Sequence, residues 1–201
     1  SSTRVDGGIW GLRLGHGGLL RGRMDSLGYC AAMPRRIVSL CPSITETLHA
    51  LGAWDRVVGR TEYCVRPEGV VDAVPTVGGT KRVKMDRLLA LKPDLVFANR
   101  EENRREDVET LEAAGIRVHV SFPRTVQEAA EVVAEFGRVL SRTGEGDRLA
   151  AQIRSAGSPV APLRAVYLIW RKPWMAAGQD CFISALLREF GGENLLLGRY
   201  P

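Results

Sequence analysis

The chain has 201 residues, 45% of them apolar and 25% charged, with a formal charge of +5 and a pI near 9.3. That suffices for one domain or two small lobes around a real core, and it excludes a fibrous or disordered chain. The positive balance is no nucleic-acid footprint: residues 1–35 hold five arginines against two aspartates, and the other 166 carry 23 basic and 21 acidic groups, with no basic face or interleaved aromatics.

No apolar run is long enough to span a bilayer. Cys30, Cys41, Cys64 and Cys181 contain no CxxC pair, so they read as free buried thiols rather than a zinc ribbon or a redox dithiol. Residues 1–33 are Gly- and Arg-rich without sustained periodicity. Arg13, His16 and Arg21 interrupt every apolar run that a secretory signal would need. The segment is therefore expected to be a disordered or spurious extension ahead of a natural start at Met33.

Ile37 to Cys41 is a short apolar, β-prone run, and the chain turns helical at Pro42. Ser43 and Glu46 have capping-box spacing, Ile44, Thr47, Leu48 and Leu51 form one stripe, and Gly52 supplies a left-handed stop. Arg56 to Thr61 reads as a second strand, residues 62–75 as a loop, and Gly78-Gly79 as a turn. A brief helix carrying Val83, Leu88, Leu89 and Leu91 ends at Pro93, and Asp94 to Ala98 is a third strand. Val108, Leu111 and Ala114 give the next, highly charged helix a narrow apolar stripe that stops at Gly115. Ile116 to Phe122 alternates like a strand, with His119 on the side opposite Val118 and Val120. Thr125 with Glu128 then caps a helix to about Leu140.

Strand and helix in alternation imply a parallel sheet, with residues 34–124 as an N-terminal α/β lobe. Residues 125–160 read as a helical linker whose last helix runs from Asp147 to Ala156. Residues 161–201 read as the start of a second α/β lobe, apparently incomplete: one strand from Ala165 to Trp170 and one helix, capped by Asp180, through Phe190. GxGxxG, Walker, GxSxG and HExxH motifs are all absent, which leaves an enzyme as the weaker class of reading. Cys41, Cys64 and nearby Glu62 are read as ordinary buried or surface groups, and no metal site is expected.

The ordered motifs RIVSLCPSITETLHALG, VVGRTEYC, VGGTK, LLALKPDLVFAN, LEAAGIRVHV and LREFGGENLL resemble the helical-backbone metal-complex receptor superfamily, the class III periplasmic substrate-binding proteins, and its vitamin B12-binding branch most of all. The resemblance runs from Arg36 to Pro201. It implies a Rossmann-like parallel-sheet lobe joined by a long rigid helix to a second α/β lobe, with the ligand held between them and no catalytic residues. It implies a metal-chelate ligand, cobalamin-like or else haem or a ferric siderophore, no cofactor of the protein's own, and delivery to an ABC-type permease.

Carried over position by position, the resemblance makes Pro42, Ser43, Tyr63, Val77, Gly78, Gly79, Asn99, Arg100, Trp170, Trp174 and Met175 ligand-facing, and Asp86 permease-docking. The bottom-up reading picks out almost the same loops, because they follow the carboxyl ends of predicted strands. Val77 or Gly78 and Asn99 stand where the B12-binding branch has tryptophan, so the ligand stays open among these chelates. A monomer that neither spans a membrane nor binds nucleic acid is expected. The family implies the periplasm or cell surface, while the lack of an evident signal keeps open a stand-alone cytoplasmic corrinoid or metal-complex binding module.

Overall fold

The structure is a computed structural model and describes residues 33–157, 162–196 and 198. The expected N-terminal extension and Cys30 lie outside the described residues.

Four parallel strands form the main sheet: β1 (Ile37–Ser39), β2 (Val57–Arg60), β3 (Leu95–Asn99) and β4 (Arg117–Ser121), in the order β2-β1-β3-β4. The helices between them are α1 (Pro42–Ala50), α2 (Met85–Ala90) and α3 (Arg105–Ala113). The apolar strand runs are continuous rather than alternating because both faces of the sheet are covered. On one face Ile37, Leu95 and Phe97 pack with Ile44 and Leu48 of α1 and with Phe136 of α4 (Val126–Val139). On the other Val38, Val96 and Ala98 pack with Leu88 of α2 and Val108 and Leu111 of α3. Successive strand residues thus feed opposite cores, as a period of two requires.

Helix starts depart from expectation at several places. At α1 the N-cap is Cys41, with no side-chain cap. Proline at the first helical position has no N–H to satisfy and a preset φ, so the helix begins one residue before Ser43 and the Ser43/Glu46 box does not form. The Ser43 hydroxyl instead lies 3.3 Å from Cys41 Sγ. The helix stops where Gly52 adopts φ +67°. At α4 the expectation holds in shifted form: Thr125 Oγ1 accepts from the Glu128 N–H at 3.1 Å, while the Glu128 carboxylate reaches back to the Arg124 N–H at 2.7 Å.

The loop from 61 to 75 is pinned from within by Arg60, which is only 9% exposed. Its guanidinium donates to the carbonyls of Val71, Val74 and Cys64 at 2.7 to 3.1 Å. A buried guanidinium needs such partners, and five rigid donors suit a curled loop.

The last helix before residue 157 is α5, Thr143–Ser155, four residues earlier in start than expected. It lies alongside α4. A Cβ on Gly137 would stand 2.7 Å from Gly146 Cα, and one on Gly146 would stand 2.9 Å from Gly137 Cα, so two glycines permit a backbone approach that no larger residue allows. At 1.5 Å per residue α5 is about 20 Å long. Two helices, α4 and α5, thus lie side by side over residues 126–155.

Beyond α5 the expected single strand from Ala165 to Trp170 is two strands, β5 (Leu163–Ala165) and β6 (Leu168–Trp170). They diverge because β6 turns back on β7 (Met175–Ala176) as an antiparallel hairpin, whereas β5 pairs in parallel with β8 (Gly192–Asn194). The intervening α6 spans Phe182–Glu189. Its N-cap is Cys181 rather than Asp180, without a side-chain cap. The Cys181 thiol donates to the Gly178 carbonyl at 3.1 Å. Asn194, from the GGEN motif, ties the region together: its amide donates to the Ala177 carbonyl at 2.8 Å and to Ser184 Oγ at 2.7 Å. The architecture is α/β, a parallel-sheet lobe connected through helices to a second α/β lobe. No helix among the described residues is long and apolar enough to cross a membrane.

Candidate functional site

A parallel sheet presents its loops beyond the carboxyl ends of its strands, and two cavities lined by described residues lie there. The larger, about 320 Å³, takes Cys41, Ser43, Ile44 and Thr47 from the turn after β1 and the first turns of α1. The exits of β3 and β4 contribute Asn99, Glu101, Glu102, Ser121 and Pro123. Its apolar wall is the face of α4 bearing Ala129, Val132, Val133 and Phe136, and Phe182 at the start of α6 joins it from the second lobe. An adjoining cavity of about 280 Å³ shares Cys41, Ser43 and Glu102 and adds Pro42, Tyr63 and Thr80.

One buried side chain sets the geometry of these loops. Asn103, 6% exposed, donates to the Leu40 carbonyl at 3.0 Å and to the Thr80 carbonyl at 3.1 Å, and its Oδ1 accepts from the Asn99 N–H at 2.8 Å. Three strand-exit loops converge on one amide. In turn Asn99 Oδ1 accepts from the Glu101 and Glu102 N–H groups at 2.9 and 3.3 Å, which fixes where these two exposed acids enter the cavity wall. Sequence reasoning passed over Asn103 as part of a charged helix entry. The available signal was an amide immediately after a strand end, inside a run of charges.

The turn at residues 77–83 is closed by reciprocal Gly79 and Arg82 backbone hydrogen bonds and by a Gly78–Val83 bridge. Gly78 has φ +97°, and a Cβ there would fall 2.5 Å from the Arg82 carbonyl, so glycine is required. Gly79 backs directly on Tyr63, whose ring carbon lies 3.1 Å from where a Gly79 Cβ would be.

Of the residues singled out from sequence, the cavities gather Pro42, Ser43, Tyr63 and Asn99, with Gly79 just behind Tyr63. Val77 is 1% exposed and packs in the core with Val38 and Leu40, so its side chain points away from the cleft. The Arg100 guanidinium lies over the Phe122 ring at 4.9 Å and lines neither cavity. Trp170 and Trp174, 63% and 68% exposed, and the half-buried Met175 sit on the β6–β7 hairpin and also line neither. Trp170 Nε1 closes that hairpin on the Lys172 carbonyl at 3.0 Å. Asp86 is exposed in the first turn of α2.

The electrostatics of the site are set by burial and by acids. Burial pushes the Cys41 thiol above its ordinary pKa, against hydrogen bonding from Ser43, and the nearby Glu102 charge adds to the rise. Cys41, Cys64 and Cys181 are free and buried, as their spacing suggested. Among the described residues no group of three or more His, Cys, Asp or Glu is placed to hold a metal ion. The arrangement offers an apolar wall and a polar rim.

Comparison with known proteins gives this cleft its context. The chain is 26% identical over 168 residues to a vitamin B12-binding protein of Vibrio campbellii, an alignment covering 80% of this chain and 61% of that one. A vitamin B12-binding protein of Yersinia pestis matches over 172 residues at the same identity, covering 82% and 61%. The chain thus spans 61% of the length of these curated relatives. Among solved structures, the periplasmic vitamin B12 binding protein of Vibrio cholerae superposes with a TM-score of 0.70 at 24% identity, over 81% of this chain and 66% of that one. A periplasmic heme binding protein from Pseudomonas aeruginosa superposes with a TM-score of 0.72 at 21% identity, over 84% and 66%. These likenesses show the fold. The periplasmic binding protein family model matches residues 37–200, nearly all of the described chain, and the protein belongs to that family.

Proposed function

We propose that the protein is a substrate-binding component that holds a metal chelate, cobalamin-like or else haem or a ferric siderophore, and hands it to an ABC-type importer. The observation that carries this reading is the cavity of about 320 Å³ at the strand exits, with the apolar face of α4 on one side and Phe182 of the second lobe on its margin. A broad, largely apolar disc with a polar fringe needs such a wall and rim. Membership of the periplasmic binding protein family supports binding without chemistry.

On this reading Pro42, Ser43, Tyr63, Gly78, Gly79 and Asn99 face the ligand from the first lobe. Arg100 reaches it from the rim, and Trp170, Trp174 and Met175 meet it from the hairpin once the lobes close. Asp86 docks on a permease arginine. The protein works as a monomer in the periplasm or at the cell surface. Titrating the purified chain with cyanocobalamin, hemin and ferrioxamine B while following tryptophan fluorescence tests the reading. Saturable quenching by at least one is expected, and flat titrations with all three overturn it.

A further inference from the structure

The residues lining the two cavities carry formal charge of one sign only. Glu101 and Glu102 lie in the wall of the larger cavity and Glu102 in that of the smaller, while no lysine, arginine or histidine lines either among the described residues. Of the neighbouring cations, Lys81 stands beside Glu101 and offsets part of the negative charge, while the two arginines are engaged elsewhere. Lys81 Nζ donates to the Glu101 backbone carbonyl, Arg124 pairs with the Glu128 carboxylate at 3.3 Å, and Arg100 lies over Phe122. Glu62 adds a third carboxylate behind the Tyr63 side, 3.0 Å from the Cβ position of Gly79. The N-terminus of α1 adds a partial charge of roughly +0.5 at most, so that together with Lys81 it falls short of the three carboxylates. Both glutamates have their backbone N–H groups held on Asn99 Oδ1, which keeps the root of each side chain at the cavity wall.

A metal chelate entering this cleft brings its fringe against these carboxylates and displaces water from between the charges, so that like charges repel more strongly than in bulk water. We infer that the cleft selects metal chelates with an amide-fringed, neutral or cationic periphery and disfavours those fringed with carboxylates. The inference rests on the metal-chelate reading above and narrows its ligand class. A corrinoid bearing amides or a cationic hydroxamate chelate fits, and a porphyrin bearing free propionates does not.

Matched pairs isolate the charge from the shape. The purified chain is titrated at low salt with cyanocobalamin and its monocarboxylic acid, with hemin dimethyl ester and hemin, and with ferrioxamine B and its N-succinyl derivative. In every pair that binds, the member with more carboxylates should bind about tenfold more weakly, and added salt should narrow the gap. The double variant Glu101→Gln/Glu102→Gln should close most of it. Equal affinities, or tighter binding of the carboxylate member, overturn the inference and leave the metal-chelate reading standing. A gap that persists undiminished in the double variant overturns the assignment to these glutamates. Flat titrations across all six compounds overturn the reading itself and the inference with it.

Discussion

The sheet of residues 37–121 and the strands of residues 163–194 are drawn from similarly β-prone sequence, yet they sit in different surroundings. In the first, β1 is buried along its whole length and β3 in all but its last residue, because α1 and α4 cover one face and α2 and α3 the other. In the second, Leu163, Leu168 and Trp170 are 52%, 56% and 63% exposed. Both regions contain a buried asparagine that gathers loops, Asn103 in one and Asn194 in the other. The same polar device therefore rests on apolar burial in one region and stands nearly alone in the other. Packing should carry the stability of the sheet, and hydrogen bonding should carry more of that of the later strands.

The sharpest way to break that contrast is a pair of aromatic truncations. Phe97 is fully buried, its ring 4.5 Å from that of Phe136. Phe97→Ala should cost about 3–5 kcal/mol. Trp170→Ala, at an exposed site, should change stability by less than about 0.5 kcal/mol. Urea unfolding followed by circular dichroism measures both, and comparable losses would mean that the hairpin is buried in solution after all.

Next in size are the two asparagines. Removing either amide strands buried carbonyls, so Asn103→Ala and Asn194→Ala should each cost about 1–3 kcal/mol. They should differ in where the loss appears. Amide exchange should quicken around residues 79–82 and 99–103 for the first, and around 177–184 for the second. The first should also weaken chelate binding, because it loosens three cavity loops together.

An effect of similar size tests how the helices between the two regions are joined. In Gly137→Ala the new methyl would meet Gly146 Cα at 2.7 Å and the Arg142 carbonyl at 2.9 Å. The cost should be about 1–3 kcal/mol from overpacking, at the lower end if α5 can slide away from α4. The shift in urea midpoint measures it.

Much of the sheet was legible because its signals are local. Apolar runs ending at Pro42, Pro93 and Gly115 mark strands and helices without reference to anything distant. What escaped was non-local. Pairing β5 with β8 and β6 with β7 splits a continuous run, AVYLIW, that by itself reads as one strand. Placing α4 against α5 depends on Gly137 and Gly146, which look like ordinary breakers until the two backbones meet. The candidate site was legible as a set of strand-exit loops, which fold topology dictates. It was not legible as a set of side chains: Val77 turned inward, and Asn103 lay hidden in a charged helix entry although it positions the wall that the exposed Glu101 and Glu102 join.

The smallest expected effect comes from the seam where α4 meets the sheet. His119 on β4 stacks 5.4 Å from Phe97 and 5.1 Å from Phe136, with its Nε2 3.8 Å from a carboxylate oxygen of Glu135 on α4. Burial holds the imidazole below its ordinary pKa, and the Glu135 charge only partly offsets this. The unfolded chain therefore takes up the proton first as pH falls. Between the unfolded value of about 6.5 and the lower folded one, the unfolded state binds more protons, so stability falls with falling pH in that window. Urea midpoints measured from about pH 7.5 to 5 should decline more steeply in the parent chain than in His119→Phe, by about 1 kcal/mol or less. Glu135→Gln should steepen the decline, because it removes the one charge that favours the imidazolium. A slope that His119→Phe leaves unchanged would mean that this edge of the sheet is wetter than its packing against Phe97 and Phe136 implies, and would blur the contrast with the exposed strands.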